Sequence, residues 1–321
     1  MTISIAGVGY AGAGAYYDLL CEFESIEHTP NLYEFGIMYE PDGLIDLVNK
    51  LRGNNCKIMS YVPIGRFLHL AKFYNDYSRG INDKIYSISL NFINGLDLIY
   101  TKGFQYHELS NPTEKERIIG FINDAVLSRF NRLLHTRYAI KREREMLICM
   151  DIDGIEKKSK QYIGELLDSF RKGYKRDLLI KHICPPDMPE ICLPYLPDSF
   201  RHISVNRDPR DLYILGRINN TNDFPCGTVQ DFVKYYRAIR ERQKESTKVK
   251  IVYFEDLCYR YNEITEEIKR FLSIDSKWNK ETCFHPEISI NNTKLFLKYS
   301  QYSEDCRYIE KCIPQFLYDY K

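Results

Sequence analysis

The 321-residue sequence has no long hydrophobic run and no excess of charge of either sign. A transmembrane helix needs about 20 consecutive apolar residues, so we expect no stable membrane insertion. The opening residues lack a basic stretch followed by an apolar one, so we expect no secretory leader and a cytoplasmic protein. With a net charge of +1, the composition does not favour a nucleic-acid partner, and any anion site has to be local.

The sequence also lacks paired cysteines. It has ten cysteines but no Cys-x-x-Cys pair, and several lie in apolar segments, such as Cys149 and Cys192. We therefore predict buried free thiols in a reducing compartment rather than disulfides. No cluster of His, Cys, Asp and Glu has the spacing of a metal site, so we expect no bound metal.

The order of apolar segments predicts an α/β fold. We expect strands at residues 2–6, 33–39, 177–182, 201–206 and 248–254. We expect helices from residue 15, at 44–51, after 211, and at 229–245 and 263–272. Strands that alternate with helices form a parallel sheet covered on both faces, here within a single domain of residues 1–321.

Residues 55–175 interrupt this alternation. Their apolar residues recur at helical spacing, so we predict a large, mostly helical insertion, with a possible pair of strands at 85–92 and 96–100. We expect the insertion to shape an acceptor site, which His69 and His107 could contact.

The segment Gly7-x-Gly9-x-x-Gly12 follows a predicted strand and precedes a predicted helix. Glycines in this context let the backbone approach a phosphate, and the helix N-terminus supplies N–H donors. We therefore predict a nucleotide-anion site, formed by Gly9, Tyr10, Ala11, Gly12, Ala13, Gly14 and Ala15. The loop alone fits either a dinucleotide or a phosphosulfate. A dinucleotide site also needs an acidic residue about 20 positions further on, which is not clearly placed.

Two later segments bear on this choice. Arg207-Asp208-Pro209-Arg210-Asp211 follows a predicted strand, where an arginine beside a helix N-terminus is well placed to bind a phosphate dianion. We expect Arg210 and Asp211 to fix the turn and cap the helix. Tyr253-x-Glu255-Asp256 follows another predicted strand and has a mainly architectural role in this interpretation.

In combination, these motifs resemble the sulfotransferases, and residues 33–47 and 291–318 resemble segments of bacterial polysaccharide-type members. The resemblance implies a P-loop-like parallel sheet and transfer of a sulfuryl group from 3′-phosphoadenosine 5′-phosphosulfate (PAPS) to a carbohydrate hydroxyl. Arg207 matches the arginine that binds the 3′-phosphate, and Lys294 and Lys298 match basic residues that close over the cofactor. Glu34 is the implied catalytic base and His182 the alternative. Leu215 occupies a position where the family commonly has a serine.

The first loop departs from the family pattern. Tyr10, Ala11, Ala13 and Gly14 stand where sulfotransferases usually place a basic residue and a hydroxyl group. Another cation has to stabilise the leaving oxygen, for which the candidates are Arg52, Arg66, Lys181 and Arg217. Two alternatives stay open: an NAD(P)-dependent oxidoreductase that uses the glycine loop, and a non-catalytic sulfotransferase-like protein that binds a nucleotide or glycan.

Overall fold

The computed structural model describes residues 1–53, 57–103, 105, 112–141, 143–151, 154–173 and 177–320. The strands are β1 (Thr2–Gly7), β2 (Ile26–His28), β3 (Leu98–Gly103), β4 (Arg144–Cys149), β5 (Asp177–Lys181), β6 (Phe200–Asn206) and β7 (Val249–Tyr253). The α-helices are α1 (Ala13–Cys21), α2 (Leu44–Arg52), α3 (Tyr61–Tyr77), α4 (Ile85–Asn94), α5 (Glu114–Phe121), α6 (Ser128–Leu134), α7 (Ile155–Asp168), α8 (Pro209–Ile218), α9 (Val229–Arg242), α10 (Phe254–Tyr259), α11 (Tyr261–Leu272), α12 (Pro286–Ser289), α13 (Leu295–Lys298) and α14 (Ser303–Cys312). A π-helical stretch, Ile122–Leu127, joins α5 to α6.

A five-stranded parallel sheet carries the fold, in the order β2-β5-β1-β6-β7. Its central strand β1 is buried along its whole length and pairs with β5 on one side and β6 on the other. The carboxyl ends of parallel strands share one edge of a sheet. The residues that follow β5, β1, β6 and β7 therefore meet at this edge.

Helices cover both faces of the sheet, as its apolar strands require. Within β5, Leu178 and Ile180 face a cluster that includes α2, α3, α4 and α7, whereas Leu179 faces a cluster that includes α1 and α11. A separate two-stranded antiparallel sheet, β3 with β4, lies between β2 and β5 in the chain. Along the described residues, no helix is both long and apolar enough to cross a membrane.

The strand predicted at residues 33–39 is wrong. The second strand of the sheet is β2, three residues long, and the later segment contributes one isolated bridge, Glu34 with Lys181. After this bridge, the chain turns, and the amide of Gly36 donates to the Tyr74 hydroxyl on α3. The apolar residues that suggested a strand, among them Phe35 and Ile37, are buried in the cluster against the helices instead.

The strand predicted at residues 85–92 is also wrong, because this segment is the helix α4. Its buried residues Ile85, Ser89, Phe92 and Ile93 recur at helical spacing, and the hydroxyl of Ser89 donates to the carbonyl of Ile85. The strand predicted at 96–100 is present, shifted to β3. The four other predicted strands of the parallel sheet are confirmed, and helices are present at the predicted positions, although α9 ends at Arg242 rather than at residue 245.

Candidate functional site

A cleft of about 590 Å³ opens at the carboxyl edge of the parallel sheet. It brings together most of the site residues predicted from the sequence: Gly9, Tyr10, Ala11, Gly12, Ala13, Gly14, Ala15, Glu34, His182, Arg207 and Leu215. The glycine loop, Glu34, His182 and Arg207 belong to segments that are far apart in the chain. They meet because these segments lie at or beside the carboxyl ends of neighbouring parallel strands. Crevices at this edge of open α/β sheets are common ligand sites.

The glycine loop runs from the end of β1 to the start of α1 and forms one wall of the cleft. It is closed by a bond from the Ala11 amide to the Val8 carbonyl, 2.8 Å long. Gly12 has φ 99°, in the left-handed region, and a Cβ at this position would lie 2.7 Å from the ring of Phe254. The loop therefore requires a glycine here for both conformation and space.

The first turn of α1 presents free N–H groups toward this wall. No side chain caps the helix, and the amides of Ala13 and Gly14 have no acceptor in the described parts of the chain. Unpaired amides at a helix N-terminus, together with the helix dipole, favour an anion. Because Ala13 and Gly14 also line the cleft, the loop has the donors that a phosphate or sulfate group needs.

Arg207 follows β6, the strand next to β1, and supports the glycine loop directly. Its side chain donates to the carbonyl of Tyr10 at 2.9 Å and to the carbonyl of Asn292. The guanidinium also lies 4.5 Å from the centre of the Phe254 ring. The Nε atom is buried without a hydrogen-bond partner in the described residues. Arg207 is therefore a buried cation with an unused donor, fixed beside the loop.

The remainder of the Arg-Asp-Pro-Arg-Asp motif is structural. Asp208, rather than the predicted Asp211, caps α8, accepting from the amide of Arg210 at 2.9 Å. Arg210 binds both carboxylate oxygens of Asp208 and also Glu310, so it fixes the turn as predicted. Asp211 instead accepts from the amide of Phe296 and the hydroxyl of Tyr320, which ties the C-terminal segment to α8.

Glu255 supports the turn from below. It is fully buried and accepts from the amide of Asp208 at 2.9 Å, in agreement with the architectural role predicted for its motif. Burial raises the pKa of Glu255 to about 8, while the hydrogen bond from Asp208 and the charge of Arg207 lower it.

Glu34, Lys181 and His182 form the polar wall opposite the loop. One carboxylate oxygen of Glu34 lies 3.6 Å from Nζ of Lys181 and 3.6 Å from Nε2 of His182. Burial lowers the pKa of His182, Glu34 raises it, and Lys181 lowers it. The net effect favours the neutral imidazole, which is the form that accepts a proton. The group thus combines two candidate bases with one buried cation.

Backbone strain marks two residues of this cleft. Tyr10 has φ 65° and His182 has φ 58°, although neither is a glycine. Non-glycine residues held in this region cost about 1–3 kcal/mol and often occur at ligand sites. His182 directly follows β5, and Tyr10 lies in the glycine loop, three residues after the end of β1.

Several predicted residues lie outside the cleft. The ammonium group of Lys294 packs over the rings of Tyr259 and Tyr320, and Lys298 donates to the carbonyl of Asn291. Among the four proposed substitute cations, only Lys181 lines the cleft. The other three have partners elsewhere: Arg52 with Glu156, Arg66 with Asp42, and Arg217 with the carbonyls of Cys226 and Gly227. His69 is exposed on α3, and His107 lies outside the described residues.

Several residues of the cleft were not predicted from the sequence, among them Phe254, Asn292 and Asp18. Phe254 packs against both Gly12 and Arg207, Asn292 accepts from Arg207 through its carbonyl, and Asp18 lies one turn into α1. Phe254 directly follows β7, so its position at the carboxyl edge of the sheet could have been predicted from the end of that strand. Asp18 accepts from the side-chain amide of Asn31, and burial raises its pKa. The cleft therefore has carboxylates as well as cations in its walls.

Comparison with known proteins adds no relative: no protein-family model matches the sequence, and a search of curated proteins returns no significant match. The described residues hold no group of three or more His, Cys, Asp or Glu side chains arranged to bind a metal ion.

Proposed function

We propose that the protein is a PAPS-dependent sulfotransferase with a P-loop-like fold that modifies a carbohydrate hydroxyl. One observation carries the proposal: the glycine loop after β1 and Arg207 after β6 line the same cleft and are hydrogen-bonded to each other. The sequence predicts a phosphate-binding role for each of these two segments.

The unpaired donors of the cleft fit a nucleotide with two separate anionic groups. The amides of Ala13 and Gly14 would hold the 5′-phosphosulfate, and the guanidinium group of Arg207 would bind the 3′-phosphate. When bound, PAPS supplies the sulfuryl group. The protein contributes position and charge, since a group transfer of this kind depends on in-line geometry and on stabilising the leaving oxygen.

The strand order supports this proposal over the dinucleotide-binding alternative. Counted within the parallel sheet alone, the strands are arranged 2-3-1-4-5. The dinucleotide-binding order is 3-2-1-4-5-6, in which the second strand lies beside the first and carries an acidic residue for the ribose. In this protein β2 lies at the sheet edge, separated from β1 by β5, and ends at His28.

Residues of the opposite wall provide the remaining chemistry. Glu34 or the neutral His182 would accept the proton of the acceptor hydroxyl as its oxygen bonds to sulfur. Lys181 would stabilise the negative charge that develops on the departing phosphate oxygen, a role that the glycine loop cannot fill with a side chain. The proposed acceptor is a carbohydrate, either a surface polysaccharide or its lipid-linked precursor. We also propose that the protein is cytoplasmic and that residues 55–175 form an insertion that shapes the acceptor site.

Calorimetric titration with adenosine 3′,5′-bisphosphate (PAP), the product of PAPS, tests the cofactor assignment. We expect micromolar binding of PAP and no binding of NAD or NADP. Replacing Arg207 with Ala should weaken PAP binding about tenfold to a hundredfold, because a charge-assisted hydrogen bond is lost. Replacing the exposed Arg66 with Ala removes the same charge outside the cleft and should leave PAP binding unchanged.

Arg207 also holds Tyr10 and Asn292, so its removal could unfold the loop. Arg207→Lys retains the charge, and thermal unfolding of each variant separates loss of fold from loss of affinity. Binding of NAD or NADP without PAP would contradict the proposal and favour the oxidoreductase. Tight PAP binding without transfer to any acceptor would favour the non-catalytic alternative.

A further inference from the structure

Residues 114–141 form an arm composed of α5, the π-helical stretch, α6 and a return segment at 135–141. In the parts of the chain that the structure describes, none of the four buried hydrophobic clusters includes a side chain from this arm. The arm is nevertheless rich in apolar residues, and a surface of this composition is typical of an interaction site.

Six large apolar side chains of the helical part of the arm keep at least half of their surface exposed. They are Ile118, Phe121, Val126, Phe130, Leu133 and Leu134. Apolar residues scattered singly over a surface need no explanation, but a concentration of this kind in one element marks an interaction surface.

The π-helical stretch keeps these residues on one side of the arm. Most of their steps are of three or four residues, as on one face of an α-helix. The step from Phe121 to Val126 is five residues, and it falls in the stretch Ile122–Leu127, where the helical period is longer. The change of helix type therefore aligns an apolar face that an uninterrupted α-helix would divide.

The return segment packs along a different, polar side. Asn123 exchanges two hydrogen bonds with the backbone of Ile140, and Asn131 does the same with Tyr138. Two side-chain amides, eight residues apart, thus hold the return segment against the helix. This contact leaves the apolar face exposed.

Basic residues accompany the apolar face. Residues 117–141 have five basic side chains, Arg117, Arg129, Arg132, Arg137 and Lys141, and one acidic side chain, Asp124. With Glu114, Lys115 and Glu116 included, the whole arm has a net charge of +3, against +1 for the whole chain. All five basic side chains are exposed, and none forms an ion pair with another described residue. The charge of the protein is therefore concentrated on the element that also exposes its apolar side chains.

We propose that the arm docks on the surface of an anionic lipid bilayer, lying in the interface without crossing it. A helix with Phe and Leu on one face and Arg and Lys beside it has the composition of an interfacial membrane helix. A second copy of this chain fits less well, because a symmetric contact would place the five basic side chains against their own counterparts. The inference rests on the arm alone and is independent of the proposed function.

Co-sedimentation of the full chain with lipid vesicles tests the inference. We expect the protein to sediment with vesicles of phosphatidylglycerol and phosphatidylcholine, and only weakly with phosphatidylcholine alone. High salt should reduce the binding, since it screens the attraction. Phe121→Ser with Phe130→Ser should abolish binding, and Arg129→Glu with Arg132→Glu should weaken it about tenfold or more. Leu297→Ser, at an equally exposed leucine outside the arm, should bind as the unchanged protein does.

A fluorescence readout covers the case in which the serine variant fails to fold. Phe130→Trp adds a second tryptophan to a chain whose only native one is Trp278. The emission of the added tryptophan should shift to shorter wavelength on mixed vesicles only. Equal binding to both vesicle types, no binding, or full binding by the serine variant would each overturn the proposal. A dimer in the absence of lipid that dissociates on Phe121→Ser with Phe130→Ser would also overturn it and assign the face to a second copy.

Discussion

Lys181 is the buried cation of the cleft wall opposite the glycine loop. It is a lysine with 7% of its surface exposed, an unusual burial for this residue type unless a partner is present. The partner is Glu34, 3.6 Å away, and both residues line the cleft. A buried ammonium group attracts a nearby anion more strongly than one in water does, because the local dielectric constant is lower.

We predict that Lys181→Met lowers the turnover of PAPS about 100- to 1000-fold, the usual effect of removing one donor that stabilises a developing charge. PAP affinity should fall much less, because the anion donors of the loop are backbone amides. The measurement is PAP formation from PAPS with a panel of glycan acceptors, alongside calorimetric titration with PAP. Lys298→Met, outside the cleft, is the matched control, and an unchanged turnover of Lys181→Met would remove this lysine from the mechanism.

The position of Arg207 at the carboxyl edge of the sheet was predictable from the sequence, whereas the grouping of Glu34, Lys181 and His182 was predictable only in part. Arg207 belongs to a local motif between a strand and a helix, and local motifs can be recognised without the fold. The contact of Glu34 with Lys181 depends on a bridge between residues that are distant in the chain, supported by a bond from the Phe35 amide to the Lys181 carbonyl. Pairing between such distant segments is not encoded in either segment alone.

At the scale of elements, the strand, loop and helix at the start of the chain depend on one glycine more than on its neighbours. Gly12 has a positive φ and no room for a Cβ beside Phe254, whereas Gly14 lies in the first turn of α1 with Asn31 no closer than 3.7 Å to a Cβ. Gly14 therefore accepts a side chain in ordinary contact.

We predict opposite effects of adding a methyl group at these two glycines. Gly12→Ala should lower the stability by about 2 kcal/mol or more, because it combines a left-handed alanine with a steric clash. Gly14→Ala should leave the stability unchanged or raise it by about 0.5–1 kcal/mol, since glycine is the poorer helix former. Thermal unfolding of both variants checks this, and equal loss of stability in the two would contradict the conformation of the loop.

The two mistaken strands have a common physical reason. Residues 33–39 and 85–92 are rich in aromatic and β-branched residues, which favour strands in isolation. In the fold, their apolar side chains are buried against α2, α3 and α7, and this packing decides their structure. The β1, β6 and β7 segments were predictable because each contains β-branched residues and is followed by the start of a helix.

At the scale of the whole molecule, the order of the sheet determines what the cleft can be. With β1 between β5 and β6, the loop after β1 faces Arg207 on one side and Lys181 with His182 on the other. The sequence predicted a parallel sheet but could not give the order of its strands, because the crossovers connect segments up to about half the chain apart. Because these segments share one edge of the sheet, motifs that are separate in the sequence line a single cleft.

A structure of the protein in complex with PAP is the most direct measurement of the central claim. The account predicts the 5′-phosphate at the amides of Ala13 and Gly14, and the 3′-phosphate within hydrogen-bonding distance of Arg207, with Lys181 on the side of the 5′-phosphate. PAP bound away from the carboxyl edge of the sheet, or with its 3′-phosphate out of reach of Arg207, would contradict the account.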